Sequence, residues 1–238
     1  MSVSLRCYST SLGCPKNRVD TERLLGSLGV ALVPVESPDE AELVFINTCA
    51  FIQPATEESV RTIAQAIADI EELPKRPLLA VAGCLVGRYH AEDLAPELPE
   101  VDLWLDNSDL EAWPAMLARK LGLPEPTVPG RILSTGPSYA WLKISDGCRH
   151  ACSFCAIPNI RGGHRSHCKD MIVREARALL DQGVKELNLV AQDLTEWGCD
   201  LDGKQDLRTL LDGLLPLPGL ERLRLMYLYP AGMTHLSL

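Results

Sequence analysis

The stretch Tyr139–Pro158 reads YAWLKISDGCRHACSFCAIP, an apolar run that predicts a strand over Tyr139–Ser145, followed at once by a loop carrying Cys148, Cys152 and Cys155. Beyond it the pattern alternates. A helix is expected over Asp170–Gln182, closed by Gly183, then a strand at Val184–Val190, a helix at Asp206–Leu217 and a strand at Leu223–Tyr229. Strands alternating with helices indicate crossover units and a parallel sheet, open or closed into a barrel.

Upstream, Gly122–Ser138 contains Pro124, Pro126, Pro129 and Pro137 and has neither helical nor strand period, the composition of a linker. A domain boundary is expected there, between a first domain at residues 1–121 and a second at 139–238. In the first domain Leu5–Ser11, Leu43–Thr48, Leu78–Ala82 and Asp102–Leu105 read as strands. A helix over Glu57–Leu73 is expected to present Val60, Ile63, Ile67 and Ile70 as its apolar face. Asn17 with Asp20 reads as the cap opening an earlier helix, which Gly26 and Gly29 would close. The first domain is therefore expected to be α/β with a parallel sheet.

The chain has 238 residues, 46% of them hydrophobic, which suits one large or two modest soluble domains. The first residues lack a basic leader followed by an apolar core, and no run approaches the roughly 18 apolar residues of a membrane span, so a cytosolic protein is expected. Lys plus Arg number 23 against 32 for Asp plus Glu, a net charge of -9 that provides no general footprint for nucleic acid and suits a basic protein partner better. Nine cysteines without an export signal point away from a disulfide scaffold and toward metal ligation. Cys7 and Cys199 are expected to be ordinary small buried hydrophobes.

Cys148, Cys152 and Cys155 form C-x-x-x-C-x-x-C directly after a strand. Three thiolates can hold three corners of a 4Fe-4S cluster, whose usual complement is four cysteines, and leave one iron open to substrate. The alternative is a zinc site completed by Cys168, His164 or His167. Cys14, Cys49 and Cys84 recur at equal intervals, each at or just after the end of an expected strand, in the contexts STSLGC, FINTC and AVAGC. In open α/β sheets ligands bind beyond the carboxyl ends of the strands, so these three are placed to converge on a second centre. Packing in a core is the other reading of the same three residues.

The loop, with Phe154 just before its last cysteine, resembles that of the radical S-adenosylmethionine enzymes. Both triplets in this order are similar to the methylthiotransferases of that group. SLGCPKN at Ser11–Asn17, CAIPNIRGGHRS at Cys155–Ser166 and LVAQD at Leu189–Asp193 resemble the branch that modifies an aspartate β-carbon in protein S-twelve of the small ribosomal subunit. The resemblance implies a 4Fe-4S cluster on Cys148, Cys152 and Cys155 that cleaves S-adenosylmethionine, and a sulfur-transfer cluster on Cys14, Cys49 and Cys84. It also implies Phe154 near the adenine, a ribosomal protein substrate, and an electron donor such as flavodoxin or ferredoxin.

Gln192 and Asp193 are expected to face the cofactor or to form a polar turn at a strand end. Arg161, His164 and Arg165 read as a solvated basic loop rather than a substrate contact. A transfer RNA methylthiotransferase and an inactive iron-sulfur or zinc-binding fragment are the alternatives. The family continues through further barrel units and a small C-terminal β domain, whereas this sequence stops at Leu238 after its third barrel strand and AGMTHLSL. The resemblance therefore implies a C-terminally truncated chain with a partial barrel.

Overall fold

The computed structural model describes residues 4–127, 129–203 and 205–233 and divides the chain into two compact units, residues 1–132 and 133–238. Of the closing AGMTHLSL segment, residues 234–238 lie outside the described residues.

The described residues of the first unit contain five strands: β1 (Ser4–Ser11), β2 (Ala31–Pro34), β3 (Leu43–Thr48), β4 (Leu78–Gly83) and β5 (Leu103–Asp106). They form a parallel sheet in the order β2-β1-β3-β4-β5. All six residues of β3 are buried, as expected of a central strand covered on both faces. Helices α1 (Pro15–Ser27), α2 (Gln53–Ile70), α3 (Cys84–Tyr89) and α4 (Ala91–Leu94) lie in the crossovers, and α5 (Trp113–Leu121) follows the last strand. Leu24, Leu25, Leu43, Phe45, Ala80, Leu105, Trp113 and Leu117 share one core.

Two local expectations are corrected, and one strand lies outside those expected. Helix α1 opens at Cys14, whose extended backbone caps it with Pro15 in the first turn, so Asn17 lies inside the helix. Helix α2 starts four residues before Glu57 and buries Thr56, Ser59, Ile63, Ala66 and Ile70, while Val60 is exposed. The apolar stripe read from the sequence is therefore rotated toward the polar Thr56 and Ser59, because Ser59 bonds to the chain at Cys49. Strand β2 was not anticipated; it is a four-residue edge strand that ends in Pro34 and is mostly exposed.

The proline-rich stretch is partly held down. Arg131 places two guanidinium nitrogens 2.9 and 2.7 Å from one carboxylate oxygen of Glu22 on α1, both side chains nearly buried. Ile132 donates its backbone N–H to the Glu22 carbonyl, and Gly130 donates to Ser27 Oγ.

In the second unit β6 (Tyr139–Lys143) is followed by the two-residue strand β7 (Ser145–Asp146), helix α6 (Ile157–Arg161) and β8 (Arg165–Ser166). Then come α7 (Lys169–Asp181), β9 (Glu186–Val190), α8 (Leu207–Leu214), β10 (Arg222–Leu225) and α9 (Pro230–Met233). The order β10-β9-β6 is parallel throughout, and β7 pairs antiparallel with β8. Leu142, Ile172, Ala176, Leu187, Leu189, Trp197 and Leu210 are among the residues of its core. Strand β10 stops short of the expected Tyr229, since Tyr227 has φ +67, which a strand does not accommodate.

Helix α8 is capped by Asp206, whose carboxylate accepts from the Thr209 N–H at 2.8 Å and its hydroxyl at 2.7 Å. These bonds hold the Asp206 carboxyl below its ordinary value. Asp206→Ala should lower the stability of the chain by about 0.5–2 kcal/mol at neutral pH in denaturant titration. A carboxyl depressed in the folded state contributes above its unfolded value of about 3.9. The gap between wild type and variant should therefore close as pH falls through the folded value.

Candidate metal centres

Strands β1, β3 and β4 lie side by side, and each delivers a cysteine at or just beyond its carboxyl end: Cys14, Cys49 and Cys84. Cys49 and Cys84 are buried and Cys14 half-buried. The sheet order reverses between β1 and β3, the place where open α/β sheets leave a crevice. Two glycines let the backbone close in. Gly13 has φ +79, and a Cβ there would stand 2.6 Å from the Cβ and Sγ of Cys49. Gly83 has φ +99, and its Cβ would meet Asn47 Oδ1 at 2.2 Å and the Thr48 carbonyl at 2.6 Å.

A polar network sets the three strand ends against one another. Asn17 donates from Nδ2 to the carbonyls of Leu12 (2.9 Å) and Thr48 (2.8 Å), bridging the segment after β1 to the end of β3. Asn47 Nδ2 donates back to the Asn17 carbonyl at 2.8 Å. Thr48 Oγ1 donates to the Ala82 carbonyl at 2.6 Å and accepts from the Leu85 N–H at 3.1 Å, joining β3 to β4 and α3. Ser59 Oγ bonds both the N–H and the carbonyl of Cys49.

The sulfurs are crowded. The hydrogen bond to Cys84, then burial, push the Cys49 thiol up, with the nearby Cys14 adding to the effect. Asn107 Nδ2 points at Cys84 Sγ from 3.8 Å, while the buried amide oxygens of Asn47 and Asn107 have no hydrogen-bond partner among the described residues. Three soft donors together, with an amide N–H aimed at sulfur, fit an iron-sulfur cluster.

The second triplet occupies the loop between β7 and α6. Cys152 is exposed, and Cys148 and Cys155 are half-buried. The loop is clamped at its base by Asp146. Lys143 Nζ approaches one Asp146 oxygen at 2.7 Å and Arg161 Nη1 the other at 2.9 Å, and all three side chains are buried. His167 Nε2 lies 3.6 Å from the carboxylate, with Nδ1 3.1 Å from the Lys143 carbonyl. Burial alone would raise the Asp146 carboxyl; Lys143, His167 and Arg161 outweigh it and hold the group well below its ordinary range. Arg161 is thus a buried partner of Asp146 and not part of a solvated loop.

At its outer side the loop is tied to the segment after β9. His150 Nε2 lies 2.9 Å from Asp193 Oδ2, and the other Asp193 oxygen accepts from the Thr195 N–H at 2.9 Å and hydroxyl at 2.6 Å. Burial raises the Asp193 carboxyl, but the Thr195 and His150 bonds prevail and lower it. Asp193 therefore caps a strand-end turn and also reaches the cysteine loop; Gln192 beside it is half-buried. Phe154 is 91% exposed. Burial, then Cys155, Asp193 and Cys152, raise the Cys148 thiol against a loop hydrogen bond. This donor set also fits a cluster held by three cysteines.

The residues proposed to complete a zinc site are engaged elsewhere. His167 serves Lys143 and Asp146, and His164, with only 3% of its side chain exposed, lies against Ser166 and Asp200, so it too is no solvated loop residue. Cys168 is exposed at the start of α7. Cys7 is buried, its thiol pushed up to about 12, whereas Cys199 is exposed, contrary to expectation. Sequence reasoning missed Asn47, Thr48, Ser59, Asn107, Lys143, Asp146 and His150. For Asn47, Thr48, Lys143 and Asp146 the signal was polarity at the end of an otherwise apolar strand, visible in FINTC and WLKISD, whereas Ser59, Asn107 and His150 carried none.

The family model of Uncharacterized protein family UPF0004 matches residues 6–106. The chain is 70% identical over 227 residues to the ribosomal protein uS12 methylthiotransferase RimO of Nitratidesulfovibrio vulgaris strain Hildenborough, covering 95% of this chain and 53% of that protein. It is 64% identical to the protein of the same name from Oleidesulfovibrio alaskensis, again over 95% of this chain and 53% of the relative. The chain spans about half the length of the curated relatives it matches. The radical S-adenosylmethionine methyltransferase TsrM from Kitasatospora setae, solved with cobalamin and a 4Fe-4S cluster, superposes with a TM-score of 0.51 at 11% identity. That likeness covers 82% of this chain and 50% of the other and shows a shared fold.

Removing the charge that joins both stems of the loop tests the clamp. Asp146→Asn should cost about 3–5 kcal/mol in chemical denaturation, the usual effect of breaking a buried ion pair. A loss below about 1 kcal/mol would mean that the loop stands without it.

Proposed function

We propose that this chain is the cluster-bearing part of a radical S-adenosylmethionine methylthiotransferase that adds a methylthio group to the β-carbon of an aspartate in ribosomal protein S-twelve. The observation that carries the reading is the pair of cysteine triplets, one gathered where parallel strands end and the other in a single loop that follows a strand. The 70% identity to a protein named for that activity supports the choice of substrate. The net charge of -9 supports a basic ribosomal protein over transfer RNA.

Cys148, Cys152 and Cys155 hold one 4Fe-4S cluster, and Cys14, Cys49 and Cys84 the other. When bound, the clusters supply the low-potential electron, at about -400 mV or below, that cleaves S-adenosylmethionine, and a site from which sulfur is transferred. The protein holds the donors in place. Asp146 fixes the base of the cysteine loop and His150 its outer side. Gln192, Asp193 and Phe154 would border the cofactor when it is bound. The Asn17, Asn47 and Thr48 bonds set the spacing of the first triplet. The electron donor is a small redox protein such as flavodoxin or ferredoxin. The setting is cytoplasmic; no described helix is long and apolar enough to cross a membrane.

Two measurements test this reading. Anaerobic reconstitution should load about eight irons per chain, falling to about four when either triplet is changed to Ala. Deleting the gene should remove a methylthio group from the mass of the ribosomal protein and leave transfer RNA methylthiolation intact. The reverse pattern would move the activity to transfer RNA, and a chain that takes up no iron would end the proposal.

A further inference from the structure

Outside both triplets, two sets of metal-ligating side chains converge among the described residues of the second unit, and one of them lies apart from the cysteine loop. His164, in the segment between α6 and β8, meets Cys199 and Asp200 in the turn that follows the short helix at 194–196, and their ligand atoms all lie within 4.8 Å of one another. We propose that His164, Cys199 and Asp200 form a separate site for one zinc ion, which pins the segment after the cluster loop to the turn after β9.

Geometry supports the assignment first. His164 Nε2 and Asp200 Oδ1 are 3.6 Å apart, too far for a hydrogen bond. The separation is close to the roughly 3.3 Å between nitrogen and oxygen ligands of a tetrahedral zinc with bonds of about 2.0–2.1 Å. The carboxylate is already oriented. Its other oxygen accepts from the Ser166 N–H at 2.8 Å, an outer contact of the kind that holds ligands in metal sites. Ser166 Oγ, 3.0 Å from His164 Nε2, also accepts from the Gly198 N–H at 2.9 Å, which fixes the backbone just before Cys199. Metal binding exchanges the histidine–serine contact for a metal bond.

Donor type and charge support it second. One nitrogen, one sulfur and one carboxylate oxygen form a borderline-soft set that suits zinc over magnesium or calcium. A thiolate and a carboxylate together balance the ion's charge. Glu196 stands beside Cys199 but is paired with Arg149, which leaves the fourth position to water. The neighbouring group His150, Asp193 and Glu196 is no rival, since His150 and Asp193 are already bonded at 2.9 Å and belong to the cluster loop.

The test counts zinc against iron. Wild-type chain reconstituted with iron and sulfide, then incubated with zinc and passed through gel filtration, should carry one more zinc per chain than Cys199→Ala at equal iron content. Asp200→Asn should lose the same equivalent, although it leaves all the thiols in place. Cys199 is exposed, so its replacement should spare the fold, and unchanged iron content reports that directly. Equal zinc in wild type and both variants would overturn the site, as would a zinc lost on changing Cys168 but not Cys199. Because iron is counted separately, a failure of cluster binding and a failure of this site are distinguishable.

Discussion

Cys14, Cys49 and Cys84 come from strands that run parallel and therefore never turn directly into one another, so a candidate centre built on them depends on bringing three strand ends together. The arrangement of the first candidate centre follows from that constraint. Each sulfur arrives at the end of its own crossover unit, and only backbone-level contact between neighbouring strand ends can bring them within reach. Gly13 and Gly83 remove the Cβ atoms that would stand in the way. Asn17, Asn47 and Thr48 then replace the hydrogen bonds that the ladder can no longer provide once the strands end.

The second candidate centre meets the same demand differently. Its three cysteines share one loop, so convergence is local and the difficulty is holding the loop still. A buried carboxylate between a lysine on β6 and an arginine on α6 does so across the two stems. Desolvating three charges is expensive, and the return is a fixed geometry for the loop more than net stability. His150 and Asp193 add a second anchor from the end of β9.

The strands that carry the cysteines were legible because central parallel strands are nearly continuous apolar runs, as in LVFI and LLAVA. The cysteines themselves were legible from spacing and from their place after those runs. What was not legible depended on partners distant in the chain. The burial of Arg161 is decided by Asp146, and that of His164 by Ser166 and Asp200. Strand β2 is too short and exposed to leave a period. Val60 fits the helical stripe, yet Ser59 takes the inward place because it can bond the chain at Cys49. Arg131, set in a proline-rich stretch, is fixed by a glutamate on a helix far upstream.

The two sets of thiols differ in shelter: Cys49 and Cys84 are buried and Cys14 half-buried, whereas Cys152 stands in solvent on a loop with the half-buried Cys148 and Cys155. Attack on sulfur by oxidants requires access, and a first-formed sulfenic acid condenses readily with an adjacent thiol. Oxidant therefore has access to Cys152 before it reaches Cys49 and Cys84. The order of damage follows from the depth of each thiol.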